Sequence, residues 1–202
     1  MQLTTQEIAH LNGLLADSSE TKSSQLTHIY HEIIQQRARF DATLTNVPTP
    51  SFLFDQTLAT QDIRAFKQVF QSHIPTAEVY FATKSSGYQE MNNLVVTEGA
   101  HLDVSSEFEF TMALKSRAKK IILTGPGKTD IELQLALQHS DKTILMIDSF
   151  GELDRLGALA DRPIVVGVRV FTPVHENWSL PGVPVKFGIP LDRLQEFWTR
   201  AE

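Results

Sequence analysis

A chain of 202 residues, 42% hydrophobic and 21% charged, has the bulk to bury a core and the composition of an ordinary globular protein. Its formal net charge of −6, with no basic block, argues against nucleic acid or an acidic membrane surface as the main partner. The lack of any cysteine excludes a disulfide framework, a thiolate nucleophile and a Cys-based zinc or iron–sulfur site.

The N-terminal "MQLTTQEIAH" has no charged-then-apolar layout of a signal peptide, and no apolar run approaches the length that crosses a bilayer. A cytoplasmic protein is expected. Residues 1–46 read as a helical extension. Ile8, Leu11, Leu14 and Leu15, then Leu26, Ile29, Ile33 and Ile34, fall at helical spacing in "TQEIAHLNGLLA" and "SSQLTHIYHEIIQQRARF". The polar "DSSETKSS" separates the two helices, and the prolines of "NVPTPS" close the segment. His28 and His31 lie at i, i+3 with only Glu32 beside them, which describes a solvated helix face rather than a metal site.

From Ser51 the pattern alternates. Strand-like runs are "FLFD" (52–55), "EVYFATK" (78–84), "HLDVS" (101–105), "KIILTG" (120–125), "TILMID" (143–148) and "PIVVGVRV" (163–170). Helical runs between them include "TQDIRAFKQVFQS", "EFEFTMALKSR", "IELQLALQH" and "FGELDRLGALA", and "PLDRLQEFWTRAE" ends the chain. Ile/Val/Leu-rich strands each followed by a helix predict a parallel sheet covered by helices. Ser106–Glu109, Thr129–Glu132 and Ser149–Glu152 each fit a capping box at a strand-to-helix turn. Strands recur roughly every 20 residues, a spacing shared by a (β/α)8 barrel and a doubly wound sheet.

In either fold, chemistry gathers at the C-terminal ends of strands. Those ends are Lys84, the Asp103–Ser106 turn, "TGPGKT", Asp148 and Arg169. "ILTGPGKT" resembles a P-loop, but the motif needs a glycine where Ile122 stands, so the loop is too short to cradle a triphosphate. His101 and His175 have no neighbours at ligand spacing, and no serine sits in a G-x-S-x-G elbow. Lys84 is the candidate that remains. A strand-end lysine is either simply solvated or, when partly shielded from water, an amine able to add to an aldehyde.

"PTPSFLFD", "VYFATKSS", "GAHLDVSSEFEF", "IILTGPGKTDIEL", "MIDSFGEL", "VGVRV" and "KFGIP" occur in that order. Together they resemble the barrel domain of the fold-type III pyridoxal-phosphate enzymes, over about residues 47–195. The nearest group is the ornithine and diaminopimelate decarboxylase family, with its siderophore- and polyamine-pathway members. The resemblance implies an alanine racemase-like (β/α)8 barrel, of which residues 47–202 would form the N-terminal part, about five of eight strands counted from the lysine strand.

It further implies pyridoxal 5'-phosphate as cofactor, with Lys84 as the catalytic residue forming the internal aldimine. Asp103 would line the cofactor side and Arg169 would face the cofactor. Ser106 and Glu109 match the same motif as Asp103 and could help shape the site, although helix capping also explains them; Lys186, Phe187 and Gly188 would help shape the barrel mouth. Phe81 stands where the family usually has tyrosine, and Ser85–Ser86 where it has alanine–asparagine. The implied reaction is decarboxylation of a small amino acid, with a racemase favoured less by "GPGKTD" and "KFGIP". Absent C-terminal strands and β-domain suggest either a fragment of a full decarboxylase or a non-catalytic remnant that binds or docks. A homodimer or association with a missing C-terminal half is expected, and residues 1–46 would cap the barrel bottom or act as a dimer arm.

Overall fold

The structure, a computed structural model, describes residues 31, 34–45, 47–48, 50–171 and 187–202. The chain divides into two compact units, Met1–Phe54 and Asp55–Glu202. In the first, the helix α1 (Arg37–Leu44) carries an i, i+4 ion pair between Arg37 and Asp41 at 3.3 Å. The earlier of the two helices expected in this unit lies outside the described residues.

In the second unit the apolar runs become short strands. β1 (Tyr80–Ala82), β2 (His101–Val104), β3 (Ile121–Leu123), β4 (Thr143–Ile147) and β5 (Val166–Val168) pair in sequence order, every pair parallel. A doubly wound sheet reverses its strand order at a switch point. This sheet does not, so the ambiguity in the sequence resolves to an arc of a barrel. After Arg169 the chain continues as β6 (Val170–Phe171), which pairs in parallel with β7 (Ile189–Pro190). Arg169 joins the two ladders, its N–H donating to Ile147 O at 2.9 Å and its carbonyl accepting from Ile189 N at 2.7 Å. β7 thereby adds a short sixth strand to the predicted five.

Helices cover one face of the arc. They are α2 (Gln56–His73), α3 (Gln89–Thr97), α4 (Glu107–Lys115), α5 (Asp130–Gln138), α6 (Phe150–Leu159) and α7 (Leu194–Ala201). Leu102, Val104, Ile121, Leu123, Leu145 and Ile147 project towards them and are at most 2% exposed. Val95, Phe110, Leu133, Leu156 and Phe197 close the same core from the helix side. The alternate strand positions look the other way: His101, Asp103, Ile122 and Met146 are half-buried, and Ile144 is 38% exposed. Period-two alternation thus separates a packed outer face from an open inner one.

One predicted strand is absent. Residues 51–55, containing "FLFD", form no strand, and Asp55 starts a helix instead. Its carboxylate accepts from Thr57 N and Leu58 N, both at 3.0 Å, and this N-cap fixes α2 from Gln56 onward. Phe52, Leu53 and Phe54 are exposed just ahead of it.

Candidate active site

β1 ends at Ala82, two residues before the lysine. Thr83–Ser85 form a 3-10 turn, and Lys84 occupies its middle. Thr83 is 2% exposed and anchors the turn, its hydroxyl lying 3.0 Å from Asp103 O and 2.9 Å from Glu109 Oε2. Lys84 itself is exposed, and among the described residues its amine has no hydrogen-bond or ion-pair partner. It borders a cavity of about 620 Å³ at the C-terminal ends of the strands. Ser105, Thr124, Gly125, Arg169, Phe171 and Phe187 are among the residues lining that cavity.

The far wall is built by Arg169. Nη1 lies 2.6 Å from Asp148 Oδ1 and Nη2 donates to Thr124 O at 3.1 Å, so the guanidinium is held from two strands. Asp148 is only 6% exposed, and its second oxygen accepts from Gly188 N at 3.3 Å. Gly188 has φ +98°, a conformation that side chains rarely adopt, which explains the glycine in "KFGIP". Gly125 is required for a different reason. A Cβ there would lie 2.5 Å from Ser105 O, so the β3 turn approaches the β2 turn closely only without a side chain.

Lys84, Arg169 and Phe187 therefore meet at one cavity. Asp103 does not line it; its Oδ1 accepts from Thr124 Oγ1 at 2.7 Å, just behind the wall. Ser106 and Glu109 stand further back. Ser106 Oγ accepts from Glu109 N at 3.3 Å, and Glu109 Oε2 accepts from Ser105 N at 2.7 Å. These two residues organise the turn that carries Ser105. Lys186 and His175 lie outside the described residues. Among the described residues no cluster of His, Asp or Glu could hold a metal.

The P-loop look-alike has a structural purpose. Lys128 is 2% exposed and donates to Gly125 O at 2.6 Å, Met146 O at 2.5 Å and Glu152 Oε1 at 2.9 Å. Glu152 in turn accepts from Asp148 N at 2.7 Å. The buried pair thus fixes the β3 and β4 turns from beneath, and no amine is left for a phosphate. Thr124, Gly125 and Ser105 belong to turns marked by the sequence as strand ends, yet nothing in their residue types singled them out.

Comparison with known proteins adds three findings. Residues 60–202 match the family described as pyridoxal-dependent decarboxylase, pyridoxal binding domain. Diaminopimelate decarboxylase of Actinosynnema pretiosum is 38% identical over 117 residues, 57% of this chain and 26% of that protein. Protein TabA of Pseudomonas amygdali is 32% identical over 167 residues, covering 78% of this chain and 38% of its own length. Among solved structures, a variant of diaminopimelate decarboxylase from Helicobacter pylori complexed with L-lysine superposes with a TM-score of 0.69 at 21% identity, over 79% of this chain and 42% of that one. Lysine decarboxylase from Selenomonas ruminantium gives 0.64 at 22% identity, over 80% and 41%. Both structures share the fold. The chain spans well under half the length of each.

Proposed function

The chain belongs to the pyridoxal-dependent decarboxylase family, whose pyridoxal-binding domain it carries, and from that premise we propose that it binds pyridoxal 5'-phosphate at Lys84 and serves decarboxylation of an amino acid of the ornithine, diaminopimelate or siderophore-precursor type. The observation that carries this reading is Lys84. An amine with no partner among the described residues, bordering a cavity of about 620 Å³ opposite a fixed guanidinium, suits an anionic aldehyde.

When bound, the cofactor supplies an electron sink conjugated to the substrate's α-carbon. The chain's own residues do the rest. Lys84 would hold the cofactor through its amine. The 3-10 turn, tied down through Thr83, keeps Lys84 at the edge of the cavity. Asp148 and Thr124 O hold Arg169 in place, and the guanidinium N–H groups they leave unused are donors for a polar group beside it. Phe171 and Phe187 give the cavity an apolar part of its wall. Asp103 acts on the site from behind Thr124.

A second reading has support in the open inner face, where Ile122, Ile144 and Met146 are left partly exposed. In that reading the domain works by docking, as a homodimer or with a complementing C-terminal half, with residues 1–46 as cap or dimer arm. Release of carbon dioxide from carboxyl-labelled ornithine, diaminopimelate and lysine separates the two. The catalytic reading expects release from at least one of them in the presence of pyridoxal phosphate, and none from Lys84→Ala. No release from any, by a chain that does bind the cofactor, contradicts catalysis and favours docking.

A further inference from the structure

Asp103 of β2 is in register with Ala82, the last residue of β1, and Lys84 follows two residues later in the 3-10 turn. Lys84 has no ion-pair partner among the described residues, and Asp103 Oδ1 accepts from Thr124 Oγ1 at 2.7 Å. Thr124 is itself fixed on both sides. Its N–H donates to Val104 O at 2.9 Å, and its carbonyl accepts from Arg169 Nη2 at 3.1 Å.

We propose that Thr124 is a positioning residue whose hydroxyl holds the Asp103 carboxylate towards β3 and so keeps the Lys84 amine free of a counter-ion. A lysine paired with a carboxylate is stabilised as the ammonium, which cannot attack a carbonyl; an unpaired amine gives up its proton more readily. The other charged groups around the site are engaged elsewhere or exposed. Glu109 of α4 takes Ser105 N, Ser105 Oγ and Thr83 Oγ1. Asp148 after β4 takes Arg169 and Gly188 N. Lys128 and Glu152 are paired with each other, and Glu90 in the first turn of α3 is exposed. Asp103 is the carboxylate that loss of the Thr124 hydroxyl would release.

The inference rests on Lys84 being the reactive amine of the proposed function, so the test uses no cofactor. Competitive labelling of the whole chain with acetic anhydride, followed by peptide mass spectrometry, gives the pH midpoint at which Lys84 becomes reactive. Thr124→Val is expected to raise that midpoint by about one unit, the effect of a newly adjacent carboxylate. Thr124→Ser, which keeps the hydroxyl, leaves it in place. Thr124→Val combined with Asp103→Asn returns it to the starting value. Asp103→Asn alone moves it by less than about half a unit, because the carboxylate is already engaged by Thr124.

An unchanged midpoint in Thr124→Val overturns the proposal, as does a raised midpoint that survives in the double variant. If Thr124→Val does not fold, Asp103→Asn decides: a fall of about one unit would show that Asp103 already pairs with Lys84. Failure of the parent chain to capture pyridoxal phosphate, with these midpoints as expected, would count against the proposed function and not against this role of Thr124.

Discussion

Two lysines, Lys84 and Lys128, end up in opposite environments at the same end of the sheet. Both follow a strand and both stand near glycine and serine or threonine in the sequence. Lys84 is exposed and unpartnered among the described residues; Lys128 is 2% exposed, with three acceptors around its amine. What separates them is which neighbouring strand supplies acceptors. Lys128 reaches the β4 carbonyl of Met146 and the carboxylate of Glu152, whereas the groups near Lys84 are taken by Thr83, Ser105 and Thr124. Lys128→Ala leaves Glu152 buried without its counter-charge and is expected to cost about 3–5 kcal/mol of stability, measured by urea unfolding. Lys128→Met with Glu152→Leu, which removes both charges, is expected to cost much less. The sequence pointed to Lys84 through its place at a strand end. It could not show the burial of Lys128, because that depends on a partner 24 residues away.

At the scale of elements, the βα turns were the most legible part of the chain. All three capping serines and threonines accept from the backbone of the expected glutamate. Only Thr129–Glu132 is reciprocal, however; Glu109 and Glu152 reach one residue further back, to Ser105 N and Asp148 N. They thereby pin the residues that lead into the site, a role that residue spacing alone does not reveal. "FLFD" misled because apolar β-prone residues precede an aspartate that the helix uses as its cap.

The opposite ends of β1 and β2 carry a titrating group. The His101 ring lies 5.0 Å from that of Tyr80. Burial pushes its pKa below the usual 6.5; Glu78 opposes this, and Lys120, Lys67 and Lys119 reinforce it. The folded chain therefore holds fewer protons at His101 than the unfolded chain does. Its contribution is present above about pH 6.5 and is lost as pH falls through the lowered folded value. His101→Gln is expected to flatten the dependence of the urea midpoint on pH between about 5 and 7, and an unchanged slope would contradict the assignment.

At the scale of the whole molecule, consecutive parallel strands with helices on one face make an arc of a barrel. The positions of the five strands from Tyr80 to Val168 were readable from spacing, but their order in the sheet, and with it the choice of barrel over doubly wound sheet, was not, since both produce the same alternation along the chain. The site is shared among five strand ends: Lys84 after β1, Ser105 after β2, Thr124 after β3, Asp148 after β4 and Arg169 after β5. That sharing explains why no short motif announced it. No described helix is long and apolar enough to cross a membrane. The apolar inner face, with Ile144 38% exposed, is a surface that a monomer in water rarely leaves bare.

Lys84 is the point at which the cofactor is proposed to be held. An absorbance spectrum of the chain mixed with pyridoxal phosphate, before and after borohydride reduction, with Lys84→Ala alongside, addresses this directly. The expected result is a saturable visible band that reduction fixes onto the Lys84 peptide and that the variant lacks. No band, or one equally strong in Lys84→Ala, would contradict the account and leave the family relationship as a statement about fold alone.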